Sequence, residues 1–130
     1  VYSSFEIYGW SQRDADYEHL FQACRDHPKI NYHGYQPNEV VREALQKAHI
    51  FALPSIWPET SCIAAIEAMS AKCAIVCPDF AALPETTAGF AITYSMHEDV
   101  NIHANIMCQV LAQTIEKVGT PELTGRTEFS

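Results

Sequence analysis

Residues 49–77 read HIFALPSIWPETSCIAAIEAMSAKCAIVC and contain a strand, a helix and a second strand in succession. Residues 49–53 and 74–77 are short and nearly continuous in apolar character, which is typical of parallel strands that are covered on both faces. Residues 61–71 between them are small or apolar apart from Glu67, and they predict a helix. Two strands joined through a helix form a βαβ crossover, so this stretch predicts an α/β fold with a parallel sheet.

The alternation continues on both sides of this unit. Apolar runs predict further strands over residues 5–8, 30–33 and 90–94, and helical periodicity predicts helices over residues 14–25, 38–47 and 100–118, with a single turn at 83–87. We therefore expect a Rossmann-like, three-layer domain with a parallel sheet of about five strands, spanning residues 1–118. Residues 119–130 are polar, with Pro and Gly, and are expected to form a tail or linker.

Composition excludes several classes of partner. The 130 residues are 48% hydrophobic and 18% charged, as in an ordinary globular protein, and the net charge is −8. Such an acidic chain is not expected to bind nucleic acid or an anionic membrane. A phosphate ligand stays possible, because the N-terminus of a helix binds phosphate without basic side chains.

Cysteine and histidine usage predicts no metal site. The five cysteines form no CxxC pair and the six histidines show no metal-ligand spacing. Free cysteines in apolar runs indicate a reducing, cytoplasmic compartment. His97 and His103 flank a predicted helix start and are expected at the surface. No apolar run approaches 18 residues, so no transmembrane segment is expected.

Two glutamates stand out in residues 54–69. Glu67 is the one acid in an otherwise apolar helix, and Glu59 precedes it by eight positions in a loop between Pro58 and the predicted N-cap pair Thr60–Ser61. Glu67 leans toward the first helical turn, whose free N–H groups can bind phosphate, and there it can accept hydrogen bonds from ribose hydroxyls. The alternatives are a structural Glu67 paired with Lys72 and a solvated Glu59 in the loop.

The pattern resembles a known family. Residues 50–69, the strand and loop at 74–86, and INYHGYQPNEVVREAL at 30–45 are similar in register to the C-terminal domains of retaining glycosyltransferases with the GT-B fold and an E-x7-E motif. The resemblance extends over about residues 5–118. It implies that the chain is the C-terminal, donor-binding half of a GT-B enzyme.

The resemblance also implies roles for individual residues. Glu67 is expected to bind the ribose of a nucleotide diphosphate sugar, and Glu59 to act in catalysis beside the donor sugar. The residues around the helix start, Thr60, Ser61, Cys62 and Ile63, are expected to hold the diphosphate, and Gly34, Tyr35 and Gln36 to lie near the base. The family moves a hexose to an acceptor hydroxyl with retained configuration, and needs no cofactor or metal besides the nucleotide sugar.

The sequence departs from the family in ways that limit these expectations. Lys72 stands where the family has a glycine after the helix, and Ala81–Ala82 where it often has two glycines near the donor sugar. Because the resemblance begins at about residue 5, we expect the family's first βα unit and its N-terminal, acceptor-binding domain to lie outside these 130 residues. We therefore expect the 130 residues alone to have no transferase activity. Any association with a membrane is expected to involve parts of the protein outside these residues.

Two other interpretations stay open. A nucleotide-sugar epimerase can share the same two-domain fold. A non-catalytic Rossmann-like interaction module, derived from a transferase domain, is favoured by Lys72 and by Ala81–Ala82.

Overall fold

A computed structural model describes residues 11–120, with side chains from residue 16 onward. The chain order is α1 (Ser11–Asp26), α2 (Asn38–Lys47), β1 (Ile50–Ala52), α3 (Ile63–Ser70), β2 (Ala74–Asp79), α4 (Leu83–Thr86), β3 (Ile92–Ser95) and α5 (Val100–Glu116). The predicted strand at residues 5–8 lies outside the described residues. The order of the other elements follows the predicted alternation, with one exception at residues 30–33.

The three strands form a parallel sheet in the order β1-β2-β3. Ile50 pairs with Ala74 on one side of β2, and Val76 pairs with Ile92 on the other. An α/β fold with a parallel sheet is therefore confirmed, and it fits a Rossmann-like fragment. The described residues hold three strands rather than the five that the sequence predicted.

Residues 30–33 were predicted as a strand, and this prediction is wrong. The structure has no strand there, and only Gly34 makes an isolated bridge. Asn31 and His33 are exposed, and the run lacks the continuous apolar character of the central strand. A strand is defined by its ladder to a neighbour, and short extended runs with polar residues can occur without one.

The core is built around β2, whose residues 74–78 are all buried. This burial confirms the prediction of a strand covered on both faces. β2 continues through Pro78, although proline has no N–H for the ladder. The strand tolerates it because β1 pairs only as far as Val76 and has ended before Pro78 is reached.

Small residues bring α3 close to β2. Ala65 and Ala68 are fully buried, and α3, α4 and α5 all contact β2. Larger residues complete this core, and among the most buried are Ile75, Val76 and Leu83.

α3 ends in a Schellman motif centred on Lys72. Lys72 N–H donates to Met69 O at 2.9 Å, and Cys73 N–H donates to Ala68 O at 3.0 Å. Lys72 holds φ of 64°, the left-handed conformation that favours glycine at this position of the motif.

The histidine prediction is wrong for His103, which is only 3% exposed on α5. His97 N–H donates to His103 Nδ1 at 3.4 Å, so Nδ1 is the acceptor and Nε2 carries the hydrogen. Nε2–H then donates to Tyr94 Oη at 3.2 Å. A buried imidazole is accommodated here because both ring nitrogens have a partner.

The chain divides into two compact units after Val41. In the first unit, the rings of Phe21 and Tyr32 stack with centroids 5.5 Å apart, and the Arg25 guanidinium lies 5.0 Å from the Tyr32 centroid. The second unit contains the sheet and the helices that pack on it. No helix in residues 11–120 is long and apolar enough to cross a membrane.

Candidate functional site

The loop from β1 to α3 and the start of α3 hold most of the predicted site residues. The predicted helix start at Ser61 is wrong, because α3 begins at Ile63. The residue that precedes it, Cys62, has φ of 55° and ψ of 78° and makes no side-chain capping hydrogen bond. Thr60 and Ser61, the predicted N-cap pair, therefore lie two positions and one position before the actual cap, respectively, and both are exposed.

Because α3 begins two residues later than predicted, the backbone N–H groups of its first turn belong to different residues than predicted. Ala65 N–H donates to Cys62 O at 3.1 Å, and Ile66 N–H donates to the same oxygen at 3.4 Å. Ile63 and Ala64 are thus the first two helical residues, whose N–H groups have no acceptor within a helix. Of the residues predicted to hold a diphosphate, Ile63 is the one that lies inside the helix.

Electrostatics at Cys62 oppose a reactive thiolate. Burial raises the pKa of the Cys62 thiol, the nearby charge of Glu59 raises it further, and the backbone N–H groups of Ala65 and Ala64 act in the opposite direction. The balance is a raised pKa, which disfavours a nucleophilic role. Burial also raises the pKa of Cys77 at the end of β2 to about 11.

Glu59 is half-buried and lies in a loop that is held by several hydrogen bonds. Its Oε1 accepts a hydrogen bond from Ser55 Oγ at 3.4 Å, and Trp57 N–H donates to the same hydroxyl at 3.3 Å. Its backbone oxygen accepts from Ala82 N–H at 3.2 Å. The loop that carries Glu59 is therefore tied to the loop before α4.

That second loop contains the pair Ala81–Ala82. Ala81 is exposed with φ of 51°, and Ala82 is half-buried with φ of −81°. A left-handed alanine is strained relative to glycine. The structure thus brings Ala81–Ala82 beside the Glu59 loop through the backbone bond to Ala82.

Glu67 lies in the middle of α3 and contacts α2. Its Oε1 accepts a hydrogen bond from Arg42 Nε at 3.0 Å, and the side chains are 16% exposed for Glu67 and 62% for Arg42. The sequence analysis had considered Lys72 as the structural partner, and the ion pair found in the structure is with Arg42 instead. Sequence reasoning missed Arg42, because a contact between residues 25 positions apart on two helices leaves no local pattern.

An open groove lies between α2 and α3, which we call the α2–α3 groove. Its volume is about 410 Å³, and Glu67 reaches it together with Arg42. The other lining residues are Leu45, Gln46, Ile66, Ser70 and Ala71. The carboxylate is therefore mostly buried against protein and accessible from one side.

Gly34, Tyr35 and Gln36, the predicted base site, belong to the first unit. Gly34 has φ of 64°, where a side chain would be strained, and Tyr35 is 43% exposed. Gln36 Nε2 donates to His33 O at 2.9 Å, which closes the turn. Glu59, residues 60–63 and Glu67 belong to the second unit.

Within residues 11–120, no three His, Cys, Asp or Glu side chains are grouped so that they could hold a metal ion. What the site offers is two carboxylates, the first-turn N–H groups of α3, and a guanidinium. These groups can bind hydroxyls and phosphate oxygens.

A protein-family model matches most of the chain. The family model described as Glycosyl transferases group 1 matches residues 4–102, about three quarters of the chain, including Glu59 and Glu67. No curated protein matches the sequence.

Proposed function

Since the chain belongs to the glycosyl transferases group 1 family, we propose that it is the donor-binding domain of a retaining glycosyltransferase. The reaction would move a hexose from a nucleotide diphosphate sugar to an acceptor hydroxyl. The observation that carries the proposal is the arrangement of Glu59 and Glu67 at the two ends of one loop–helix segment. Between them lie Ile63 and Ala64, the first two residues of α3, whose N–H groups have no acceptor within the helix.

Glu67 is the proposed ribose ligand. An ionised carboxylate has about four acceptor positions, and the Arg42 bond uses one of them. Ribose presents two neighbouring hydroxyls, which match a carboxylate that is open on one side. The Arg42 ion pair supports an ionised Glu67, as this role requires.

The N–H groups of Ile63 and Ala64 are the proposed diphosphate ligands. They lie at the positive end of α3, where an anion is stabilised by the helix dipole and by direct hydrogen bonds. The diphosphate is the leaving group, and its negative charge grows as the bond to the sugar breaks. Donors fixed in place before the reaction lower the barrier without reorganising.

Glu59 is the proposed catalytic carboxylate beside the sugar. The transition state of glycosyl transfer resembles an oxocarbenium ion, which carries positive charge at the anomeric carbon. A carboxylate held by Ser55 and by the backbone bond to Ala82 can stabilise that charge. Ala81–Ala82 would border the same sugar, and their methyl groups would influence which sugar fits.

Nucleotide binding tests the proposal directly. The ¹⁵N-labelled chain is titrated with UDP, GDP and ADP up to millimolar concentrations while backbone amide shifts are recorded. We expect shifts concentrated at residues 63, 64 and 67 with at least one nucleotide. The variant Glu43→Gln, which removes an exposed acid from α2, serves as a control and should leave the shifts unchanged. An absence of shifts at these residues with all three nucleotides would contradict the proposal.

Activity tests the role of Glu59 in a transferase that contains this domain. We expect Glu59→Gln to lower kcat by roughly 10²-fold, because a charge that acts mainly in the transition state is lost. Glu67→Gln is expected to act mainly on KM for the nucleotide sugar. Unchanged activity in both variants would show that neither carboxylate has the role proposed for it.

The second candidate is a non-catalytic interaction module of the same fold. It is favoured by the Arg42–Glu67 ion pair, which already gives Glu67 a structural partner, and by the strained alanine at position 81. Such a module would keep its protein partner when Glu59 and Glu67 are both replaced by Gln. A transferase would keep its fold and lose its activity.

A further inference from the structure

Trp57, in the loop between β1 and α3, is 70% exposed, the highest value for any aromatic residue within residues 16–120. A single exposed apolar residue needs no explanation by itself, so the surroundings of the indole decide what it does. We propose that Trp57 stacks on a sugar ring of the acceptor, which makes the acceptor a carbohydrate. This inference rests on the proposed function, because an acceptor exists only if the domain belongs to a transferase.

The loop that carries Trp57 is held by one hydroxyl. Ser55 Oγ lies 3.1 Å from Trp57 O, 3.3 Å from Trp57 N and 3.4 Å from Glu59 Oε1. Pro54 and Pro58 restrict the backbone further, since proline fixes its own φ and limits the residue before it. The indole is therefore presented from a backbone that needs little ordering when a ligand binds.

The same contacts place Trp57 beside the proposed catalytic carboxylate, because Glu59 Oε1 and the Trp57 backbone both contact Ser55 Oγ. A sugar ring has two kinds of surface, a face of C–H groups and a rim of hydroxyls. The C–H groups carry a slight positive charge and pack on the negative face of an indole, and the hydroxyls donate to carboxylate oxygens. An indole next to a carboxylate matches both surfaces.

The position of Trp57 along the loop favours the acceptor over the donor sugar. The proposed diphosphate ligands are the N–H groups of Ile63 and Ala64, so the donor sugar reaches Glu59 from the side of α3. Trp57 precedes Glu59 in the chain and is open to solvent, from which an acceptor hydroxyl approaches.

The charge of this segment separates a carbohydrate from a lipid surface. Exposed tryptophan is also typical of segments that lie at a membrane interface, but such segments carry Lys or Arg for the anionic headgroups. Residues 50–71 contain two Glu and neither Lys nor Arg, and the net charge of the chain is −8. An uncharged ligand with many hydroxyls fits this surface better.

Saturation-transfer NMR on the 130-residue chain tests the stacking. The probes are methyl β-D-glucopyranoside and methyl β-D-galactopyranoside, in which H1, H3 and H5 lie on one face of the ring. Sorbitol, which has hydroxyls but no ring face, is the control ligand. With at least one of the two glycosides, we expect saturation to be strongest at H1, H3 and H5, and sorbitol should receive little.

Substitutions then assign the contact. Trp57→Ala should weaken binding of the glycoside by roughly fivefold, the scale of one aromatic contact, and Trp57→Tyr should retain most of the affinity. Ile56→Ala removes the neighbouring apolar side chain, which is 52% exposed, and should change the affinity by less than about twofold. Because both side chains are exposed, we expect all variants to keep the native amide spectrum.

A competition experiment separates the acceptor from the donor. The nucleotide that shifts residues 63, 64 and 67 is added as its diphosphate glucose derivative while the glycoside is present. We expect the glycoside to stay bound, because a transferase holds donor and acceptor at the same time.

The outcomes distinguish this inference from the proposed function. If no nucleotide shifts residues 63, 64 and 67, the proposed function is wrong and the acceptor role falls with it. If a nucleotide binds but neither glycoside shows saturation that depends on Trp57, the proposed function stands and the inference is overturned. Displacement of the glycoside by the nucleotide sugar would place Trp57 in the donor site, and equal losses in Trp57→Ala and Ile56→Ala would indicate a general apolar contact. Either result would also overturn the inference.

Discussion

At the scale of single residues, four non-glycine residues within residues 11–120 hold a positive φ: Cys62, Lys72, Ala81 and Ala88. An L-residue in this conformation costs roughly 1–2 kcal/mol, because its Cβ crowds the following carbonyl. Cys62 and Lys72 bracket α3, so the helix that carries Glu67 begins and ends at a strained position.

Replacing Lys72 with glycine should stabilise the protein. We expect Lys72→Gly to raise the free energy of unfolding by about 0.5–1 kcal/mol, since relief of the left-handed strain exceeds the added flexibility of the unfolded chain. Urea denaturation followed by circular dichroism measures this change. Lys72→Ala removes the same side chain but keeps the strain, and it should change the free energy by less than about 0.3 kcal/mol. Equal stabilisation by both would show that the lysine side chain, rather than its backbone, is the cause.

The buried pair of Tyr94 and His103 gives a second prediction. Tyr94→Phe leaves His103 Nε2–H without its acceptor, and we expect a loss of about 1–3 kcal/mol in the free energy of unfolding. Tyr35→Phe is the matched control, because Tyr35 is 43% exposed and its hydroxyl can bond to water. A loss of stability that is no greater for Tyr94→Phe than for Tyr35→Phe would rule out the hydrogen bond as a stabilising contact.

At the scale of secondary-structure elements, α5 begins at a well-formed cap. Asp99 accepts hydrogen bonds from Asn101 N–H at 2.9 Å and from Ile102 N–H at 3.1 Å. The cap places the first turn of α5, which carries His103 onto the sheet. The predicted helix start at residue 100 is confirmed, since α5 begins at Val100. The Asp that precedes the periodic apolar residues is a sequence signal with a direct physical cause.

The cap can be tested by substitution. Asp99→Ala should lower the free energy of unfolding by about 1 kcal/mol, and Asp99→Asn should largely retain it, because an amide oxygen also accepts the two N–H groups. Thermal unfolding of these variants beside Glu98→Ala, an exposed neighbour, measures the effect. The role of the cap would be refuted by equal melting temperatures for Asp99→Ala and Glu98→Ala.

The start of α3 was harder to predict than the start of α5. Thr60 and Ser61 are good N-cap residues by type, yet the helix begins after Cys62, which has neither a capping bond nor a favourable φ. Tertiary packing of Ala65 and Ala68 against β2 decides where this helix lies, and it overrides local capping preference. The prediction of a strand at residues 30–33 was wrong for a related reason, since the pairing of a strand with its neighbour cannot be predicted from one segment alone.

At the scale of the whole molecule, the free energy of unfolding is expected to depend on pH in the alkaline range. The groups responsible are a cysteine on β2 and a tyrosine on β3. Burial raises the pKa of Cys77 from 9.0 to about 11 and the pKa of Tyr94 from 10.0 to about 12. The unfolded chain loses these protons at a lower pH than the folded chain, so stability falls as pH rises through this window.

We therefore expect the urea midpoint to decline between pH 9 and about pH 11, within the interval set by the unfolded and folded pKa values of Cys77. Cys77→Val, which keeps a buried apolar group, should flatten this decline relative to the native chain. Cys108→Val, at an exposed cysteine, should not. The same slope in all three proteins would exclude Cys77 as the source.

The candidate site was only partly predictable from the sequence. Glu67 could be identified because an acid in an apolar helix needs a partner wherever it lies, whereas Glu59 was identified by its spacing from Glu67 in a stretch that resembles a known family. Arg42 could not, since the bond to Glu67 depends on how α2 and α3 are placed on the sheet. The backbone bond between Glu59 and Ala82 was likewise invisible, because it involves no side chain.

The backbone bond between Ala82 and Glu59 determines which substitutions the two loops can tolerate. Because Ala82 N–H and Glu59 C=O are backbone groups, the tie between the two loops survives almost any pair of side chains at these positions. Proline at position 82 is the exception, since it has no N–H to donate. Substitutions at positions 81 and 82 can thus reshape the surface of their loop while the Glu59 loop keeps its place. If the proposed donor site is right, the alanine pair is a position where sugar specificity can change during evolution at little cost to the architecture.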